Sequence, residues 1–416
     1  MRLVAKQRLR LSQKVMTATA IPATNASRTV FAVLFAAAGC HLINDTMQAI
    51  MLSSYPLLRE AYALTFTQVG LLTFAFQITG SLLQPFIGSY TDRRPFPAIL
   101  PLAPAFTLLG FVLLALAPNF ELLLAAAISI GVGSAMFHPD ASRVSRLAAG
   151  GRYGMAQSLF QVGGNVGTSL GPLFAALFIL PRGQHVILWF SLLAVASITI
   201  LSLVAKWFSN HLSTMAARPK PATHSAVSNR TVVISLAILV ALMLSKFVYT
   251  ASLHSFYAFF LMDKFGISAP RAQAYLFILL GAIAVGTFAG GPIGDRIGRK
   301  TVIWFSILGT LPFSLALPYA NEFWTVVLTI PIGLILSSAF PAMVVYGQEL
   351  LPGRVGTVSG LFFGLAFGLG GIGAAVLGAL ADATSIGFVF HVTAFLPALG
   401  LLAFFLPNRE QLQGKA

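Results

Sequence analysis

Charge is what this sequence has least of. Of its 416 residues 9% are Asp, Glu, Lys or Arg, and only 11 are acids. Soluble domains carry about a quarter charged residues, so a water-soluble globule is excluded. Cysteine is nearly absent as well. Cys40 stands alone, which rules out an internal disulfide. There is no Walker loop, no paired Cys/His spacing suited to a metal and no nucleophile elbow. The acids other than Asp45, Asp140 and Glu349 fall mostly at the ends of apolar runs, which leaves an enzyme with almost nothing to work with.

Apolar residues are what is abundant: 57% of the chain, with a mean hydropathy of +0.85. Apolar runs long enough to cross a hydrocarbon layer of about 30 Å recur from end to end. They contain Gly and Pro and do not alternate in period two, so they read as helices rather than barrel strands. Twelve spans are expected, at 29–58, 66–90, 97–117, 120–146, 154–180, 185–208, 231–262, 270–293, 300–320, 322–349, 355–381 and 385–406. The fold class is therefore an all-α integral membrane protein. It divides into a tail (1–28), a six-helix bundle (29–208), a polar linker (209–230), a second six-helix bundle (231–406) and a C-terminal tail (407–416).

A net charge of +15 would suit nucleic acid, but its placement excludes that partner. With both termini in the cytoplasm, the cytoplasmic segments hold 21 of the 26 Lys and Arg; Arg59, Arg182, Lys264 and Arg271 lie outside, and Lys246 lies within the seventh span. This is the positive-inside bias, which sets orientation, and basic loops beside anionic lipid explain the high pI. The opening "MRLVAKQRLRLSQK" lacks an apolar core, so a cytoplasmic tail is expected rather than a secretory signal.

The two bundles repeat one another. "GSYTDRR" follows the second span and "GPIGDRIGR" the eighth, with Gly88 and Gly291, and Asp92 and Asp295, each 203 positions apart. An offset of 202 pairs Tyr55 with Tyr257, Pro139 with Pro341, Arg152 with Arg354, Gly154 with Gly356 and Phe160 with Phe362. Two bundles of even helix number enter the membrane in the same direction, and a site is expected near the midplane between them.

Six plus six helices with a G-x-x-x-D-R loop after the second and eighth resemble the major facilitator superfamily. "HLINDTMQAIMLSSYPLL", "FQITGSLLQPFIGSYTDRRPFP" and "YGQELLPGRVGTVSGLFFGLAFGLGGIGAAVLG" are similar to its fosmidomycin-resistance branch, as is "FHPDASRVSRLAAGGRYGMAQSLFQVGGNVGTSLGP". The resemblance implies drug or anion efflux driven by a proton gradient. It also implies a bacterial inner-membrane location, no cofactor, and a monomer whose partners are protons, lipid and a small anionic substrate. It further implies that the G-x-x-x-D-R loops latch the cytoplasmic side in the outward-open state. Gly88, Asp92, Arg93, Gly291, Asp295, Arg296 and Arg299 are the candidate gate. Glycine allows close approach there, and Asp can accept bonds from the amides of a neighbouring helix N-terminus. In the first copy Pro95 and Phe96 replace the Gly-Arg found in the second.

Gly163, Gly167 and Gly171, and likewise Gly360, Gly364 and Gly368, recur every four residues and place one small face on each helix. "GTSLGP" resembles the helix-5 signature of superfamily antiporters without its trailing glycine pair.

His41, Asn44, Asp45 and Gln48 share one face of the first span. Such a stripe should face protein or a wet cavity rather than lipid. Asp45 lies roughly 24 Å along its helix, near mid-depth. Lys246, with Tyr249, Thr250 and His254, lies at a corresponding depth of the seventh span. An Asp45–Lys246 pair across a central cavity is expected, either as a structural ion pair or as the point where proton and anion compete. In "HPDASR", His138 could titrate near neutrality, and Asp140 could neutralise Arg143, which could bind substrate or bridge a gate. The expected function is proton-driven export of a small anionic or drug-like molecule. The alternative is a proton-coupled importer or uniporter of an organic anion or sugar.

Overall fold

Polar breaks between apolar runs fix where the helices begin and end. In the computed structural model, which describes residues 29–64, 66–216, 228–267 and 269–412, twelve helical spans follow one another. They are α1 (Phe31–Ser53, continued by Tyr55–Ala61), α2 (Phe66–Arg93), α3 (Ile99–Leu116), α4 (Phe120–Ala148), α5 (Tyr153–Phe174), α6 (Ile187–Ala216), α7 (Asn229–Phe265), α8 (Ala269–Ile297), α9 (Arg299–Leu308 with Leu311–Ala316), α10 (Glu322–Ser337 with Ala339–Leu350), α11 (Val355–Ala383) and α12 (Ile386–Thr393 with the 3-10 segment Leu396–Phe405). The expected tail 1–28 lies outside the described residues.

Matching caps mark the repeat. The Asn119 side chain accepts the Leu122 amide at the start of α4, and Asn321, 202 positions on, accepts that of Trp324 at the start of α10. α7 ends where Gly266 takes a left-handed conformation (φ +63°) that closes the last turn at little cost. The described helices run into both ends of the expected linker (209–230), of which residues 217–227 lie outside the described residues. α6 runs through "SNHLSTMA" to Ala216 because nothing in that stretch breaks a helix before Pro219, and α7 already begins at Asn229.

Ten helices among the described residues are long and apolar enough to cross a membrane. The two left out are α1 and α5. Their central turns carry His41, Asn44, Asp45 and Gln48, and Gln157, Gln161, Asn165 and Thr168, which lower their hydropathy. They pack on each other through glycines. A Cβ at Gly163 or Gly167 would run into the backbone of Ala38 or Leu42, and one at Gly171 into Ala49. The helices least suited to lipid thus shield each other's backbone.

The cores show how the two bundles meet. At the end bearing the G-x-x-x-D-R loops one core is shared, joining Leu34, Phe137, Phe160 and Phe208 to Met243, Ile303, Phe340 and Phe362. At the opposite end each bundle has its own, one around Ile50, Phe111 and Leu123 and the other around Tyr257, Phe260 and Phe390. The halves are joined at one end and parted at the other.

Candidate functional site

The joined end is held by two related latches. Asp92, at the end of α2, accepts the Gly356 amide at 2.9 Å, the Thr357 amide at 2.7 Å and the Thr357 hydroxyl at 2.7 Å. These donors open α11, so the carboxylate sits on the positive end of a helix from the other half. Asp295, at the end of α8, does the same for α5, accepting the Gly154 amide at 2.9 Å and the Met155 amide at 3.0 Å. Gly88 faces Gly356 and Gly291 faces Gly154, each so closely that a Cβ would meet the opposing backbone.

Each aspartate also carries one arginine, but from different places. Arg299, just past Gly298 (φ +95°), bonds Asp295 at 2.7 Å. Arg143, from α4, bonds Asp92 at 2.6 Å and Asp140 at 2.5 Å. The first loop, with Pro95–Phe96 in place of Gly-Arg, thus draws its cation from another helix. Arg143 bridges Asp92 and Asp140 at the seam, and Asp140, fully buried, orients it while accepting the Thr91 hydroxyl at 3.0 Å. Arg93 and Arg296 are exposed, and no hydrogen bond or ion pair among the described residues joins them to the latches.

A second seam escaped the sequence reading. Ser142 and Gln157 of one half meet Gln348 and Ser359 of the other, with Ser142 to Ser359 at 3.0 Å, Gln348 to Ser359 at 2.9 Å and Arg146 to Gln348 at 3.0 Å. The repeat offers the signal for it, since 202 positions relate Gln157 to Ser359 and Arg146 to Gln348.

Beyond the seam lie the buried polar residues of α1. The Asp45 carboxylate accepts the Asn44 amide at 3.0 Å and the Gln48 amide at 3.4 Å. His41 Nε2 stands 3.2 Å from one of its oxygens and His138 Nε2 3.7 Å from the other. Both imidazoles are held from behind: His41 Nδ1 is 2.7 Å from the Phe160 carbonyl and His138 Nδ1 is 2.9 Å from that of Ser134. A carbonyl only accepts, so each Nδ1 carries a hydrogen; the carboxylate also only accepts, so a neutral ring has no hydrogen left to give it from Nε2. Gly164 makes room for this, since a Cβ there would come within 2.5 Å of His41 Nε2 and 2.7 Å of Asp45 Oδ2.

Asp45 also lines a cavity of about 120 Å³ on the side away from the latches, with Gln48, Gln77, Ser134, Thr168 and Phe367. α2 and α11 touch backbone to backbone along Gly360 and Gly364; a Cβ at Gly368 would meet nothing, and at Gly371 only the Gln77 side chain reaches across.

The expected Asp45–Lys246 ion pair is not made. Lys246 is buried with its Nζ 4.4 Å from the ring centre of Phe247 and 5.9 Å from that of Phe340. A run of ring contacts leads from the lysine's surroundings to those of the acid: Phe340 and Phe363 are 5.2 Å apart, and Phe363 and His138 5.0 Å. Asp45 is satisfied by its own bundle, and the ammonium rests on aromatic faces, each contact worth about 2 kcal/mol when desolvated. Tyr249 packs in the core of the second bundle with Leu253 and Tyr257. His254 is exposed, and neither it, Tyr249 nor Lys246 lines the cavity beside Asp45.

A chain of two six-helix repeats, latched at one end by paired aspartates and enclosing a buried acid, is built as a membrane transporter. The family model for the Major Facilitator Superfamily matches residues 34–375, and the chain belongs to that family. Within it, the fosmidomycin resistance protein of Escherichia coli (strain K12) is 52% identical over 393 residues, covering 94% of this chain and 97% of that one. The MFS-type transporter YfnC of Bacillus subtilis (strain 168) is 42% identical, covering 92% and 95%. Among solved structures, the transporter FucP in the outward conformation superposes with a TM-score of 0.71 at 19% identity, covering 91% of this chain and 98% of that one. The human organic anion transporter MFSD10 gives 0.71 at 17%, covering 90% and 99%. These two show the fold. The protein is thus a multi-pass membrane transporter of the fosmidomycin-resistance group, acting on a small molecule, and not an enzyme.

Proposed function

We propose that the protein exports a small anionic, fosmidomycin-like molecule from the bacterial cytoplasm in exchange for protons, by alternating access. The observation that carries this reading is the buried acid Asp45, facing two imidazoles and lining a cavity on the far side of the latched end. The basic loops support a cytoplasmic side for the latched end and for both termini. The conformation then faces outward.

In this reading a proton from outside reaches Asp45 and its two histidines through the cavity. Protonation turns the Asp45 carboxylate from a pure acceptor into a donor toward the histidine Nε2 atoms, which changes the contacts between α1 and α4. The latches at Asp92 and Asp295 then release, and the halves rock to open the cytoplasmic side. There the proton leaves and an anion enters. Lys246, a buried cation with no acid partner among the described residues, supports the anionic character of the cargo, because an incoming negative group would supply the charge it lacks. The relative's name, fosmidomycin resistance protein, supports export as the direction.

The test is drug accumulation in cells carrying the protein or its Asp45→Asn form, with and without an uncoupler. The uncoupler should raise accumulation in cells with the native protein, and Asp45→Asn should match uncoupled cells at equal expression. Intact, uncoupler-sensitive efflux by Asp45→Asn would remove Asp45 from the mechanism.

A further inference from the structure

We infer that His41, Asp45 and His138 form a binding site for a divalent transition-metal cation of the Zn²⁺ class. Their candidate ligand atoms all lie within 4.8 Å of one another, and all three residues are buried. Zn²⁺ holds imidazole nitrogens and carboxylate oxygens at about 2.0–2.2 Å, so two ligands of a tetrahedral site stand about 3.3 Å apart. His41 Nε2 stands 3.2 Å from Asp45 Oδ2, close to that value, and His138 Nε2 stands 3.7 Å from the other oxygen, Oδ1.

Two further features point to a ligand. His138 Nε2 is fully buried and has no hydrogen-bond partner, although it is aimed at the carboxylate. Both imidazoles are backed through Nδ1 by a main-chain carbonyl, at 2.7 and 2.9 Å. That outer bond fixes the tautomer and ring orientation that a metal-ligating histidine needs. Imidazole with one carboxylate suits Zn²⁺, Ni²⁺ or Co²⁺ rather than Mg²⁺ or Ca²⁺, which favour oxygen ligands. Asp45 lines the cavity, which supplies a way in and room for water as a further ligand. Asn44 and Gln48 donate to only one carboxylate oxygen, so the other is left to the ion. Metal binding follows from this ligand geometry and does not require that transport be proton-driven.

The experiment uses the full chain, purified in detergent and stripped with a chelator. Zn²⁺ is titrated by calorimetry, and the loaded protein is measured by zinc-edge X-ray absorption. One ion per chain is expected, with two imidazoles and a carboxylate in its shell. His138→Gln should remove one imidazole from the shell and weaken binding by at least about tenfold, whereas His391→Gln, on α12, should change neither. Absence of saturable one-to-one binding, a native shell with fewer than two imidazoles, or an unaltered affinity in His138→Gln overturns the site. Should His138→Gln fail to fold, the shell of the native protein decides. Failure of Zn²⁺ binding leaves the uncoupler-sensitive efflux assay untouched, so the two readings fail separately.

Discussion

Replacing Asp92 by alanine should tip the protein towards the state in which the latched end is open. The carboxylate accepts two main-chain amides of α11, at 2.9 and 2.7 Å, and the Thr357 hydroxyl at 2.7 Å, all from the other half. A hydrogen bond to a charged group contributes about 1.5–3 kcal/mol net. Taking only the two amides at the lower figure gives about 3 kcal/mol, made when the end is closed and lost when it opens. That is about a hundredfold in the equilibrium between the two states. Arg143 is not orphaned by the change, because Asp140 still holds it at 2.5 Å, so each bundle should stay folded. Spin labels at Arg94→Cys and Arg354→Cys, exposed positions next to the latch on opposite halves, report the opening by their separation. Cys40 is buried and can be replaced by serine to leave two labels. In Asp92→Ala the longer distance should dominate. Asp295→Ala should act in the same direction, and the double variant further. An unchanged distance distribution in both single variants would refute the assignment of the aspartates as latches.

Three other outcomes follow from the same geometry. Gly88→Val places a side chain against the Gly356 backbone, so the latched end should fail to close and efflux should be lost, with normal membrane insertion checked by detergent-solubilised yield. Gly164→Ala puts a methyl 2.5 Å from His41 Nε2, an overpacking that costs about 1–3 kcal/mol. It should lower the melting temperature and abolish uncoupler-sensitive efflux, while Gly368→Ala, where nothing lies within 4 Å, should be silent in both assays. Lys246→Gln should raise the KM for fosmidomycin efflux about tenfold, the loss of roughly 1.4 kcal/mol of charge attraction, with little change in protein yield. An unchanged KM would remove the lysine from substrate binding.

The helices and the repeat were legible because membrane crossing demands long apolar runs and because internal duplication leaves a fixed offset. The close contacts of Gly88 and Gly291 and the capping by Asp92 and Asp295 were legible for a related reason: close helix contact and helix capping need particular residue types at particular corners. Arginine roles were harder. Arg93 and Arg296 sit in the motif yet stay exposed, while Arg143 reaches the first latch from another helix, a contact no local pattern encodes. The polar stripe of α1 was readable from its spacing, but its partner was not. Asp45 turned out to have its histidine neighbour four residues back and a second on α4, and the lysine expected opposite it rests on two rings instead. Which of several buried groups meets a charge depends on helix rotation, and a period of 3.6 residues leaves that rotation open when both faces are apolar.

The repeat itself explains how the two charges came to be separated. The 202-residue offset carries Asp45 onto Phe247, His138 onto Phe340 and Asn44 onto Lys246. Phe247 and Phe340 are the two rings on which Lys246 rests. The same scaffold positions therefore hold an acid between imidazoles in the first bundle and an ammonium against aromatic faces in the second. A symmetric pair of acids would repel across the seam, and an acid directly against the lysine would neutralise both. Under the proposed function, this split would have the first bundle manage a cation and the second receive an anion. Exchanging the bundles' chemistry by Phe340→His should then weaken the hold on Lys246. Its imidazole would offer a smaller apolar face, and the resulting loss should appear as weaker anion selectivity in efflux assays, with uncoupler sensitivity retained. Loss of uncoupler sensitivity in that variant, with selectivity intact, would mean that the division of labour between the halves runs the other way.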